Sequence, residues 1–306
     1  MHRLTTYRFL LAAAALLLCT STAAQTLFTT SIRTFASGGQ DKVVGNLYAV
    51  NLGDATAKLV APILLRGETA VGITGLAVHP ATGVFYGITS PLSPVNPRSL
   101  VTLDVNTGAA ELVGPLGASG SDIAFDPKGN LYVWLPGTSQ LGEVDLQTAR
   151  VKPLGPPGPP GNTGGIAIDD KGVAYITPNG AAGNLDRVDT ATGAITKGPV
   201  LTGAPFPSGI AAMTFTPSGL LLALNTNGGS PASVRLVTIN TKTGQVNAIG
   251  SLPDDSDSLA FAAVGSHDIR AALATMSGRT LALLSLVLGL AIAIAAMLIV
   301  KSLKRD

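Results

Sequence analysis

The sequence predicts an all-β, five-bladed β-propeller, closed by one blade that its two ends share and followed by a C-terminal transmembrane helix. Three observations carry that reading. A strand–turn–strand template recurs with its starts 47, 43, 47 and 46 residues apart. A second template follows each copy of the first. Residues 26 to 263 show no helical periodicity of any length.

The first template is a short apolar strand, a turn on Pro or Gly, and a second strand, in most copies with Tyr at a fixed place. Its copies are LAVHPATGVFY (76–86), IAFDPKGNLY (123–132), IAIDDKGVAY (166–175) and MTFTPSGLLL (213–222), with a half copy, LAF, at 259–261. The second template is a strand, a turn built on Thr-Gly or its variants, and another strand. It reads SLVTLDVNTGAAELVG (99–114), LGEVDLQTARVKPLG (141–155), NLDRVDTATGAITKG (184–198) and VRLVTINTKTGQVNAIG (234–250). It also stands alone as NLYAVNLGDATAKLV (46–60), ahead of any first template. The segments are short, β-branched and bounded by Gly, Pro, Asn and Asp, which makes them strands. Four strands in about 46 residues is one propeller blade.

With the strands lettered A to D from the hub outward, four blades are complete between 75 and 250. A fifth has strand A at 258–263 and strands C and D at 46–60; TLFTTSI (26–32) has the length and composition of its missing strand B. An open solenoid would leave these partial units unpaired, whereas one shared blade closes the ring and removes its edges. The A→B and C→D turns are short and alike. The D→A and B→C connections leave on the opposite face, and they are long and varied: Ala61–Thr74, SPLSPVNPR (90–98), PLGPPGPPGNTG (153–164) and GSLPDDSD (250–257). Three Gly-x-y triplets in the third of these are too few for a triple helix and read as a stiff, extended loop. One face is plain, the other elaborated, and variation gathers where loops bind.

The ends place the domain. Arg3 and Arg8 precede an apolar run from Phe9 to Leu18, and Thr22-Ala23-Ala24 follows, the three-part pattern of a secretory signal over 1–24. Cys19, the single cysteine, would leave with it, so no disulfide is expected in the mature chain. The propeller is assigned to 25–264 and a juxtamembrane linker to 265–280. Residues 281–300, LALLSLVLGLAIAIAAMLIV, carry no charge; twenty helical residues span about 30 Å, a hydrocarbon core. Lys301, Lys304 and Arg305 mark 301–306 as a cytoplasmic tail. The expectation is a single-pass membrane protein whose propeller stands outside the cytoplasm, periplasmic or at the cell surface of a bacterium. Its C-terminal helix would contact the lipid bilayer.

Composition excludes disorder, since 46% of residues are hydrophobic and 12% charged. The net charge of +2 is made by the two ends: between Gln25 and Arg279 stand 15 basic and 17 acidic residues. No basic stripe exists there, which excludes nucleic acid as a partner.

IAFDPKGNLYV and GIAIDDKGVAYIT resemble the repeats of NHL-type and gluconolactonase-type propellers, and LYAVN…ATAKLV is similar to those of bacterial extracellular propellers. The resemblance covers roughly 26–263. The gluconolactonase-type likeness implies a divalent metal held at the hub by Glu, Asn and Asp. Of the three glutamates, Glu111 and Glu143 fall in or beside outer strands and Glu68 falls in a loop.

Catalytic signals are thin. His79 sits in a turn, where the other blades have Asp126, Asp169 and Thr216; His267 precedes the span. No cysteine nucleophile, nucleophile elbow or phosphate-cradling loop-to-helix motif is present, and no catalytic residue is assigned. The candidate ligand-binding residues are Asp122 at the start of an A strand, Trp134 at the end of a B strand, where an amphipathic ring suits sugar or peptide stacking, and the loop cations Arg66 and Arg98. Asp254, Asp255 and Asp257, in PDDSD, are the candidate metal ligands, with Ca²⁺ the cation that oxygen-rich groups would take. The function expected is binding or scaffolding of a protein or glycan partner on the loop-rich face. The alternative is a metal-dependent propeller hydrolase or lactonase.

Overall fold

Strands of two to eight residues cannot satisfy their own backbone, so each must find neighbours on both sides or a covered edge. The computed structural model describes residues 25–32, 34–35, 41–42, 45–161, 164–178 and 183–263. The signal segment, the linker, the span at 281–300 and the tail lie outside the described residues. Among those described, no helix is long and apolar enough to cross a membrane.

In chain order, β1 (Gln25–Ser31) leads through a minimal hairpin, β2 (Thr34–Phe35) and β3 (Asp41–Lys42), into β4 (Asn46–Val50) and β5 (Ala57–Pro62). A second small hairpin, β6 (Leu64–Leu65) and β7 (Thr69–Ala70), precedes blade 1: β8 (Ile73–Val78), β9 (Phe85–Thr89), β10 (Ser99–Leu103) and β11 (Ala109–Pro115). Blade 2 is β12 (Ile123–Phe125), β13 (Leu131–Leu135), β14 (Gln140–Val144) and β15 (Val151–Leu154). Blade 3 is β16 (Ile166–Ile168), β17 (Ala174–Ile176), β18 (Asp186–Val188) and β19 (Ile195–Thr196). Blade 4 is β20 (Gly209–Phe215), β21 (Leu221–Thr226), β22 (Val234–Ile239) and β23 (Val246–Leu252), and β24 (Ser256–Ala263) comes last.

The fifth sheet has the order β24-β1-β4-β5, so both ends of the domain build one blade, and the strand expected at 26–32 is β1. Side chains lock the joint: Thr29 Oγ1 donates to the Ser258 carbonyl at 2.7 Å, and Ser258 Oγ accepts from the Thr30 N–H at 3.1 Å. Apolar side chains alternate to the two faces of each sheet and pack into five clusters, one per seam between neighbouring blades.

Two expectations are corrected. The 61–74 connection is not simply a loop on the elaborated face. Its β6 runs parallel to β11 and extends blade 1 to six strands, covering an outer edge that would otherwise stay unpaired. The inner strands of blades 1 and 4 begin at Ile73 and Gly209, earlier than the template at Leu76 and Met213 implies. In both, the register shifts, between Ile73 and Gly75 and between Ile210 and Met213; such irregularities hide the first turn of strand from a strict repeat.

Candidate functional site

Each A strand starts on the loop-rich face and runs toward the face of the short turns, so the hub has two chemically different ends. At the loop-rich end, short polar side chains join one blade to the next. Thr30 Oγ1 donates to the Ile73 carbonyl at 3.2 Å, and Thr74 Oγ1 donates to Asp257 Oδ2 at 2.5 Å, joining the closing blade to blade 1. Ser121 Oγ donates to the Gly164 carbonyl at 2.8 Å, joining blades 2 and 3. Asp255 Oδ1 accepts from the Ala232 N–H at 2.9 Å, joining blade 4 to the closing blade.

Asp122 is the centre of this girdle. Its carboxyl is fully buried. Oδ1 accepts from the Ile123 N–H at 2.9 Å, while Oδ2 accepts from the N–H groups of Ile166 and Met213, both at 3.0 Å. One side chain thus ties the inner strands of blades 2, 3 and 4. Burial pushes its carboxyl well above the usual carboxylate range; the three N–H donors pull the other way without prevailing, and Asp257 adds repulsion. Asp257 is raised well above the usual range as well, by burial first, against the Thr74 hydroxyl and with Asp255 adding to the rise.

The candidate residues therefore divide. Asp122 and Asp257 meet at one end of the hub, each carboxyl already bonded within the protein. Asp254 is exposed, and Asp255 is buried with Oδ1 turned to blade 4, so the PDDSD carboxylates do not converge. Among the described residues no three His, Cys, Asp or Glu side chains gather where they could hold a metal ion. Trp134 does not reach the loop-rich rim: it is 0% exposed, wedged between blades 2 and 3 among Leu141, Leu154, Ile166 and Ile176. An indole at the end of a B strand alternates onto the sheet face, and the neighbouring blade covers that face. Arg66 lies at the tip of the β6–β7 hairpin on the outer edge of blade 1, and Arg98 lies in that blade's B→C loop. Both are exposed. His79 is a turn residue, its Nδ1 accepting from the N–H groups of Ala81 and Thr82.

The turn end of the hub holds a feature that the sequence reading did not single out, a cavity of about 370 Å³ with contributions from all five blades. The signal for it is a three-residue phrase carried by every A strand: Leu76-Ala77-Val78, Ile123-Ala124-Phe125, Ile166-Ala167-Ile168, Met213-Thr214-Phe215 and Leu259-Ala260-Phe261. A small residue in the middle of each phrase leaves the centre open.

No family model matches the chain, and no curated protein matches it. Among solved structures, a protein of unknown function from Bacteroides caccae is similar over 78% of this chain and 99% of its own, at 14% identity and a TM-score of 0.49. A chain of a nidogen/laminin complex is similar over 78% of this chain and 98% of its own, at 13% identity and a TM-score of 0.50. The second likeness supports the propeller fold.

Proposed function

We propose that this protein is a binding or scaffolding propeller, held outside the cytoplasm by a membrane span at 281–300, that recognises a protein or glycan partner with its loop-rich face. The observation that carries the reading is the state of the 153–161 loop. Gly158 N–H donates to the Thr138 carbonyl at 2.8 Å, Gly161 N–H to the Pro136 carbonyl at 2.9 Å, and Ser139 Oγ to the Pro159 carbonyl at 2.6 Å. Pro156, Pro157, Pro159 and Pro160 stay exposed on this pinned strap. Leu92 and Val95 are exposed in the 90–98 loop of the neighbouring blade. A rigid, partly apolar loop surface loses little entropy when a partner covers it, which favours recognition. The hub carboxyls, by contrast, are engaged in holding blades together. The nidogen/laminin chain offers a case of the same fold within a protein complex.

The test is site-specific photo-crosslinking in cells that make the full chain. A crosslinker at Leu92 or Pro157 is expected to give one saturable adduct, and one at Lys128 or Lys242, in the short turns, none. Adducts from the turn positions alone, or equal capture from both faces, would overturn the choice of face. An impermeant thiol reagent tests the placement: a cysteine at Ser139 should react in intact cells or spheroplasts, and protection until lysis would refute it.

A further inference from the structure

We propose that the turn end of the hub is a second binding site, independent of the loop-rich face, and that it takes a small organic cation with an apolar or aromatic body. The cavity there measures about 370 Å³, within the size class of small-molecule sites. Its charged lining is of one sign: Asp126, Asp169 and Asp170 line it, and no Lys, Arg or His does. Lys128 and Lys171 stand exposed in the same turns but outside the lining.

The three acids are not equally committed. Asp126 spends both oxygens locally, Oδ1 on the N–H groups of Lys128 and Asn130 and Oδ2 on the Asn130 amide. Asp169 accepts the N–H groups of Lys171 and Val173 through Oδ1 alone, and Asp170 is exposed. Negative charge therefore stands over the mouth in a form that a ligand can use.

Below the acids the walls change character. Phe125, Phe215 and Phe261 line the cavity and are half-buried. Phe125 and Phe215 are braced edge-on by Tyr86 and Tyr175 at 5.5 Å between centroids, which fixes their orientation. An aromatic wall beneath carboxylates attracts a cation twice, through charge and through the ring quadrupole, and takes up the ligand's apolar body. Ala77, Ala124, Ala167 and Ala260 keep the middle open, and Thr214 is the only hydroxyl at that level of the phrase. An anion would meet repulsion here, and a neutral apolar molecule would gain only the walls.

The experiment is calorimetric titration of the full chain with benzyltrimethylammonium, benzyl alcohol and benzenesulfonate. The cation is expected to bind tightest, the alcohol at least roughly tenfold more weakly, and the sulfonate not at all. In Asp169→Asn/Asp170→Asn the cation should weaken roughly tenfold while the alcohol is unchanged. Asparagine at 169 can still accept the two turn N–H groups, so the fold is kept. Ala124→Leu, which narrows the cavity, should block cation and alcohol together. A hexapeptide with one arginine distinguishes a macromolecular source, and its binding in place of the small cation would overturn the proposal. So would equal affinities for the three probes, no binding of any, or cation affinity unchanged in the double variant.

Discussion

Asp122 and Asp145 belong to the same blade, and both collect backbone N–H groups, yet their carboxyls move in opposite directions. Asp145 lies on the rim, where Oδ1 accepts the N–H groups of Gln147 at 2.8 Å and Thr148 at 3.0 Å. Those bonds, that from Thr148 foremost, hold its carboxyl below the ordinary value of 3.8. Asp122 accepts three such bonds and still rises, because burial in the hub outweighs them. The same local device is therefore a solvated turn cap at the rim and a desolvated clasp at the hub. The difference is burial, and it decides what each residue contributes.

The sharpest way to break the comparison is to delete each carboxylate. Asp122→Ala leaves the N–H groups of Ile166 and Met213 buried without an acceptor, and each such loss costs about 1–3 kcal/mol. A loss of roughly 3 kcal/mol or more is expected in denaturant unfolding of the full chain, with the slope unchanged. Asp145→Ala exposes its N–H groups to water instead and should move the midpoint by a small fraction of that. Comparable losses at the two sites would show that burial is not what separates them.

How much of this could be read in the chain follows from the same contrast. The rim was legible. Its turns repeat as Asn51, Asp104, Asp145, Asp189 and Asn240, each with Oδ1 accepting the N–H two residues on, at 2.8–2.9 Å. A motif that depends on its own neighbours leaves a local pattern, and it gave the blade count and the shared closing blade. The hub was legible only in part. Asp122 stood out as an acid at the start of an A strand, but its partners lie 44 and 91 residues away, so sequence could not separate a clasp from a ligand site. Trp134 failed for a related reason: which neighbouring blade covers a sheet face is a property of the ring. The β6–β7 hairpin was hidden by having only two residues per strand.

The second comparison runs between seams of the rim itself. In each C→D turn one residue has positive φ and rests against the end of the preceding blade. At Gly244 (φ 74°) an added Cβ would sit 2.1 Å from the Val200 carbonyl oxygen. At Ala149 (φ 61°) the methyl is already present, and the facing residue is Gly114, where a Cβ would come within 3.4 Å of it. Ala55 faces Gly250 in the same way, so a methyl on the turn side is accommodated where the facing residue is glycine. Gly244→Ala should cost about 2 kcal/mol, by backbone displacement and strained φ. Ala149→Gly should stay within about 1 kcal/mol, because relief of φ offsets the lost buried methyl. Equal costs in thermal unfolding would refute this steric account of the seams.

The smallest expected effect is on pH dependence, and it too separates hub from rim. A carboxyl whose value is raised on folding binds its proton more tightly in the native state. Its contribution to stability is full below 3.8, the ordinary value, and is lost as pH climbs through the raised one. Asp122 and Asp257 should therefore make the propeller less stable as pH rises from mildly acidic toward neutral and beyond. The rim acids Asp54, Asp104, Asp145 and Asp189 are lowered, so their contribution is present above 3.8 and is lost as pH falls below it. Stability should then peak at mildly acidic pH, with the hub setting the alkaline slope and the rim the acid slope. Urea midpoints across pH 3 to 8 give both slopes. Asp122→Asn, which keeps an acceptor oxygen but cannot ionise, should lessen the alkaline slope and leave the share set by Asp257, and Asp145→Asn should soften the acid side alone. A profile whose alkaline slope survives Asp122→Asn unchanged would mean that this carboxyl is ionised at the hub at no cost, and the account of burial overriding its three N–H donors would fail.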